Sequence, residues 1–205
     1  SREQRYTKVA DWDLVGRLVT ERSIPIVGNG DVSSWHEAQR RLETSGCAAV
    51  MLARGALIKP WIFDECRNER TWLPISSERD AVYRRLVTYM KEHFGDDAKG
   101  RKKAMFFLPW HLSFLSRWRP MPDDEYVSRA REYPLIQTRV ASDAGDLPPL
   151  EAVLRDPRAE MHERIAAALW DAADDPEACA SIGALAEQFG PAPDGDPQEF
   201  AVSTG

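Results

Sequence analysis

Ile24-Pro25-Ile26-Val27 closes on Gly28-Asn29-Gly30-Asp31, and Ala48-Ala49-Val50-Met51-Leu52 closes on Ala53-Arg54-Gly55-Ala56. These two short apolar runs decide the fold. Each ends in a glycine-bearing turn, and between them Ser34 to Ser45 reads as one helix. Ser34 and Glu37 predict a capping box, in which hydroxyl and carboxylate each satisfy an orphan backbone N–H. Strand, helix, strand at this spacing predicts a βαβ unit with both strands parallel and buried.

Both turns then lie at carboxyl ends of strands and open helices. Free N–H groups and the positive end of the helix dipole favour an anion there, above all a phosphate. Gly30 and Gly55 are read as letting the backbone approach a ligand without a Cβ in the way. Arg54 can add a bidentate cation. In a (β/α)₈ barrel such a site is typically built by the loops after strands seven and eight with a short extra helix, and Ala56-Leu57-Ile58 has the length for that helix.

Gly28-Asn29-Gly30-Asp31-Val32, Val50-Met51-Leu52-Ala53-Arg54-Gly55-Ala56 and Lys59-Pro60-Trp61 resemble the last two strands of a tRNA-dihydrouridine synthase. Ser1-Arg2-Glu3-Gln4-Arg5-Tyr6-Thr7 and Ala10-Asp11-Trp12 are similar to the stretch just upstream, most of all in the eukaryotic dihydrouridine synthase 3 branch. The resemblance is dense to Trp61, thins towards Pro120 and is absent after about Ala141. It implies an FMN-binding TIM barrel followed by a helical tRNA-binding domain. It also implies reduction of a tRNA uridine to dihydrouridine, with NADPH as the electron donor. The residues expected at the FMN phosphate are Asn29, Gly30 and Asp31 with Ala53 and Arg54. A flavin-contacting His-Gly-Arg and the cysteine that acts as the acid are expected upstream of Ser1, so no catalytic residue is assigned here.

The net charge of −6 conceals an asymmetry. Residues 1–140 carry 24 Lys and Arg against 19 Asp and Glu, whereas residues 141–205 carry 3 against 14. The first part can face nucleic acid; the second would be repelled by it. No apolar run approaches the ~20 residues of a membrane span, so a soluble protein is expected. Three scattered cysteines, Cys47, Cys66 and Cys179, argue against a disulfide framework and fit a reducing compartment, cytoplasmic or nuclear. Cys47 and Cys66 read as small hydrophobes. The four histidines show no ligand spacing, and no nucleophile elbow or Walker loop is present.

In chain order, Ser1 to Thr7 reads as a polar loop whose Arg2 is either solvated, the favoured reading, or directed to the flavin region that the resemblance implies, and Asp11 to Thr20 as a helix. Ile62 to Arg70 is a helix that closes a barrel, and Thr71 to Ser77 a linker in which Ser76 and Ser77 cap the next helix. That helix, Glu78 to Phe94, is amphipathic and is stopped by Gly95. Lys99 to Trp118 is another, with Phe106, Phe107, Trp110, Phe114, Leu115 and Trp118 expected in the core. Lys99, Arg101, Lys102 and Lys103 crowd its N-terminus and oppose the dipole, so RNA phosphate contact explains them better than local stability does. Ser128 to Arg139 adds arginines near Tyr126 and Tyr133, a weaker sign of the same surface. Three short Ala-rich acidic helices come next, Asp146 to Arg155, Glu160 to Ala172 and Pro176 to Phe189. The Pro-, Gly- and Asp-rich tail is expected to be disordered.

The domains read as 1–72, the C-terminal portion of a TIM-barrel flavin domain; 76–140, a helical tRNA-binding domain; 141–190, an acidic extension; and 191–205, the tail. The expected partners are tRNA and either the remainder of the barrel or a second copy of this chain. Two strands cannot close a barrel, so the chain alone is expected to be inactive and to self-associate through residues 1–61. Two alternatives stay open at this point: a non-catalytic RNA-binding or assembly module, and another FMN-dependent TIM-barrel oxidoreductase.

Overall fold

The computed structural model describes residues 10–120 and 147–190. The expectations for Ser1 to Thr7, for Ser128 to Arg139 with Tyr126, and for the tail 191–205 lie outside the described residues. In chain order the described elements are α1 (Trp12–Glu21), β1 (Val27–Asn29), α2 (Trp35–Ser45), β2 (Ala49–Met51), α3 (Arg54–Ile58), α4 (Ile62–Asn68), α5 (Ser76–Phe94) and α6 (Ala98–Leu115). They continue with α7 (Pro149–Leu154), α8 (Ala159–Asp171) and α9 (Asp175–Phe189). They divide into two compact units, 10–73 with 118–120, and 74–117 with 147–190.

The first unit is built on the βαβ element. Strands β1 and β2 pair in parallel, with Val27 opposite Ala49, Gly28 opposite Val50 and Asn29 opposite Met51. The first strand sits further along the chain than the apolar run suggests. Pro25 has no N–H to donate to a ladder, and pairing starts only where Ile26 O accepts from Ala48 N at 2.8 Å. The strands are also not buried on both faces: Val27 is 59 % exposed and Met51 50 %.

Helix α2 begins at the predicted cap, with Ser34 Oγ accepting the Glu37 N–H at 3.1 Å, but only this half of the expected capping box forms. The buried Glu37 carboxylate receives Arg40 and Arg41. Asp11 caps α1 through the Leu14 N–H at 2.9 Å. Trp12, Val32, Ala38 and Cys47 make the core under the sheet. Gly28 is required there because a Cβ would meet Trp12 Cζ3 at 2.4 Å. Further on, Trp61 packs edge-on against both Trp72 and Trp118, with ring centroids 5.4 and 5.7 Å apart.

The second unit is all helix. Ser76 and Ser77 do not cap α5; they are its first residues, and the Glu78 carboxylate accepts the Ile75 N–H at 2.9 Å. Gly95 ends the helix at a φ of 95°, and Asp97 caps α6 by accepting the Gly100 N–H at 2.7 Å. Tyr83, Val87 and Met90 of α5 share one core with Ala104, Leu108, Leu112 and Leu115 of α6 and with buried residues of α7, α8 and α9, Ile165, Leu169 and Ile182 among them.

The aromatic face of α6 departs from expectation. The buried face follows Ala104, Leu108, Leu112 and Leu115 at helical spacing, and it turns Phe106, Phe107 and Trp110 outward. Phe106 is 78 % exposed and Trp110 51 %. Alanine fits where helices approach closely, so the smaller residues took the core and the rings did not. Of the expected core aromatics, Phe114 is half-buried and Trp118 is buried in the first unit.

The acidic helices are tied to α5 and α6 by specific ion pairs. Arg84 donates to the carbonyls of Leu169 (3.2 Å), Ala172 (2.6 Å) and Ala173 (3.2 Å) at the C-terminus of α8, and to Asp175 Oδ1 at 3.2 Å. Cations there satisfy carbonyls that the helix leaves unpaired. Arg101 forms a two-pronged pair with Asp171, and buried Arg79 pairs with Glu151.

Candidate functional site

Because β1 and β2 are parallel and Asn29 lies opposite Met51, both turns leave from the same end of the sheet. They also touch. A Cβ on Gly55 would stand 2.3 Å from Val32 O and 3.1 Å from Ser33 Cα, so the second turn is packed directly on the backbone that comes after the first. The expected anion site residues, Asn29, Gly30, Asp31, Ala53 and Arg54, are therefore brought to one edge.

The glycines serve this packing rather than the ligand access expected of them. Gly55 makes room for the Val32 carbonyl. Gly30, at a φ of 129°, makes room for Ala10, whose Cβ would lie 2.4 Å from a Gly30 Cβ. Gly30 O also accepts the indole N–H of Trp12 at 3.0 Å. Asp31 is in the left-handed region at a φ of 52°, where Asp is among the tolerated residues. Its Oδ2 accepts the Ala10 N–H at 2.6 Å, which pins the chain entering α1 to the first turn.

Arg54 opens the short helix α3 and lies with one guanidinium nitrogen 3.7 Å from Asp31 Oδ1. Ala53, at the N-cap, has no side-chain acceptor for the first N–H groups of α3. One edge thus carries the Arg54 guanidinium facing one oxygen of the Asp31 carboxylate, whose other oxygen accepts the Ala10 N–H. Nearby, Lys59 is bound to the buried Glu65 carboxylate at 2.5 Å, and Glu65 also accepts the Trp72 N–H at 3.0 Å. That lysine is engaged in holding α4 in place.

The basic run divides. Arg101 is turned to Asp171, while Lys99, Lys102 and Lys103 stand exposed on α6. Lys103 Nζ lies 5.7 Å from the centre of the Phe94 ring. The sequence reading missed the surroundings of the lysines, because it sent the neighbouring rings to the core. The signal was present in the spacing of Ala104, Leu108 and Leu112.

Two thiols, Cys66 and Cys179, are held in their protonated forms. Burial pushes Cys66 up, and burial together with its hydrogen bond to Asp80 raises Cys179 to about 12. The Cys179 thiol donates to Asp80 Oδ2 at 3.2 Å. Burial pushes His111 and His162 down, so both are neutral near pH 7. His162 Nε2 donates to Asp156 O at 2.8 Å, a structural role. Among the described residues no group of three His, Cys, Asp or Glu is placed to hold a metal ion, and no helix is long and apolar enough to cross a membrane.

Comparison with known proteins gives the family of the chain. Residues 1–123 match the family model described as dihydrouridine synthase (Dus). A Xenopus tropicalis protein named tRNA-dihydrouridine(47) synthase NAD(P)(+)-like is 44 % identical over 128 residues, covering 62 % of this chain and 20 % of its own length. The human protein of the same name is 46 % identical over 122 residues, 59 % of this chain and 19 % of its own. A rice protein of that name is 40 % identical over 126 residues, 59 % of this chain and 18 % of its own. The chain thus spans about a fifth of the length of the curated relatives it matches. With more than half of its residues inside the family model, the chain belongs to the dihydrouridine synthase family.

Proposed function

We propose that this chain is part of an FMN-dependent tRNA-dihydrouridine synthase. In this reading it supplies the last two strands of the flavin-binding TIM barrel, half of the FMN phosphate site, and a helical domain that holds tRNA. The observation that carries the reading is the meeting of the two turns at one end of a parallel pair, in a chain of this family. Backbone N–H groups of Asn29, Gly30, Asp31 and Ala53 would hold the phosphate, and the Arg54 guanidinium would exchange part of its long contact with Asp31 for it. Bound FMN supplies the reducing equivalents for the uracil C5–C6 bond, with NADPH as their source.

Lys99, Lys102 and Lys103 would meet tRNA phosphates. Arg101 would hold α6 to α8 through Asp171 and add to the positive field as a secondary contact. The relatives' names, all tRNA-dihydrouridine(47) synthases, support tRNA as the partner. The other expected partner is the remainder of the barrel, because Val27 and Met51 of the two strands are exposed and apolar. By itself the chain forms no dihydrouridine, and copies associate through residues 1–61.

A chimera tests this directly. The matched stretch of the Xenopus tropicalis relative is replaced by this chain, and dihydrouridine in tRNA is measured with FMN and NADPH. The chimera should hold flavin and form dihydrouridine, and Arg54→Ala should weaken FMN binding by about 1–3 kcal/mol, the scale of a charge-assisted hydrogen bond. A folded chimera whose flavin affinity ignores Arg54→Ala removes the phosphate assignment. One that folds and makes no dihydrouridine removes the enzyme reading.

A further inference from the structure

We infer that the outward face of α6 is a stacking platform for unpaired nucleotides of RNA, with Phe106 and Trp110 taking bases and Lys99, Lys102 and Lys103 taking the phosphates between them. This rests on the tRNA reading above and goes beyond it, because phosphate contact alone would not distinguish paired from unpaired RNA.

The geometry comes from the helix itself. At about 100° per residue, with Phe106 as zero, Lys102 falls near −40°, Lys99 near 20°, Trp110 near 40° and Lys103 near 60°, on the side away from buried Ala104 and Leu108, while Phe107 near 100° lies at the margin of that face. From Lys99 to Trp110 the face runs about 16 Å along the axis, enough for a few nucleotides.

Two of the rings have faces to offer. Phe107 lies parallel to Phe94, at 7° and 6.2 Å, so it is backed on one side. Phe106 meets Phe107 edge-to-face at 86°, and Trp110 meets Phe114 at 69° and His111 at 73°; neither is stacked face to face on a neighbour, and both keep more than half of their surface open to solvent. Leaving rings in water forgoes burial that the core would have rewarded, so folding stability does not explain them. Bases stack on such rings whatever their identity, and in a duplex those faces are already covered by neighbouring pairs.

The same face also resembles one that could enter a lipid surface, and the placement of the cations decides against that. Interfacial helices keep their lysines on the polar side of the apolar arc. Here Lys99 and Lys103 fall inside the aromatic arc, so sinking the rings into lipid would bury two ammonium groups. A strand of RNA presents phosphates and base faces at similar depth and satisfies both.

The test uses the 205-residue chain and a labelled 12-nucleotide uridine-rich RNA, single-stranded or in a perfect duplex, at fixed salt. The wild type should bind the single strand more tightly. Phe106→Ala with Trp110→Ala should weaken single-strand binding about tenfold or more while leaving the duplex affinity and the salt slope unchanged. Trp110→Phe should retain binding, and Phe106→Leu, which keeps the fold's apolar surface, should lose it. Replacing Lys99, Lys102 and Lys103 by Ala should weaken both RNAs and flatten the salt slope. If the lysine variant loses binding and the aromatic variants do not, the platform is refuted and the tRNA reading stands. If the wild type binds neither RNA, both fall. If it binds phosphatidylserine vesicles through Phe106 and Trp110 in place of RNA, the face is a membrane contact and the inference is overturned.

Discussion

Gly55→Ala puts one methyl group into the contact that brings the two turns together. Its Cβ would lie 2.3 Å from Val32 O, 3.1 Å from Ser33 Cα and 3.2 Å from Val32 C, all three of them backbone atoms. No side chain can rotate away, so α3 must retreat from the first turn by about 1 Å to reach ordinary contact. Overpacking of this kind costs about 1–3 kcal/mol. A retreat of that size also takes the N–H groups of α3 out of the roughly 3 Å hydrogen-bond range of an anion held by the first turn. Hydrogen exchange in peptides covering 27–33 and 49–58 reads the effect, and a loss of 1–3 kcal/mol corresponds to about five- to 150-fold faster exchange there. Gly183→Ala is the control, since nothing lies within 4 Å of its Cβ and helix α9 should gain from the change. Unchanged exchange in both segments of the Gly55→Ala protein would refute the packing of one turn on the other.

Three further changes probe the helical unit. Asp80 is fully buried, and burial raises its carboxyl to about 6 from an ordinary 3.8, against the opposing hydrogen bond from Cys179. The folded unit then holds this proton more tightly than the unfolded chain does, so stability present below about pH 4 is lost as pH rises through about 6. Asp80→Asn should flatten that loss, worth up to roughly 2 kcal/mol after solvent screening; urea midpoints at two pH values, with parallel curves for both proteins, would contradict it. Arg84→Ala removes the donors to the α8 C-terminus and should cost roughly 1.5–3 kcal/mol in urea unfolding of this unit, where Arg85→Ala, on an exposed neighbour, should cost little. Reversing the charge of Lys99, Lys102 and Lys103 should weaken tRNA binding whatever the tRNA and reduce the slope of log affinity against log salt; an unchanged slope would make these lysines ordinary solvent-facing charges.

The local elements were legible where chemistry is local. Ser34 before α2, Gly95 after α5 and the two turns all result from groups acting within a few residues; the capping role of Asp11, which the sequence reading placed inside the helix, is equally local. The strand start was misplaced because apolar content hid Pro25, whose missing N–H delays the ladder to Ile26. The face of α6 was read the wrong way round because rings carry more hydrophobicity than Ala104, although spacing and not ring size selects the buried stripe. The role of the acidic helices was not legible at all. Asp171 and Asp175 belong to Arg101 and Arg84, some 70 and 91 residues earlier in the chain, so part of the contrast between basic and acidic halves is spent internally. At the edge where the two turns meet, the reason given for the glycines differs from what the packing shows: Gly30 and Gly55 make room for Ala10 and the Val32 carbonyl.

The central claim is that residues 29–31 and 53–54 form one phosphate-binding edge. Amide resonances of the 205-residue chain, monitored while FMN or riboflavin is added, test it most directly, because riboflavin lacks only the phosphate and weak binding still shifts peaks. FMN should move the amides of Asn29, Gly30, Asp31, Ala53 and Arg54 together, riboflavin should not, and Arg54→Ala should suppress the shifts. Equal shifts with both compounds, or FMN shifts confined to one turn, would contradict the account.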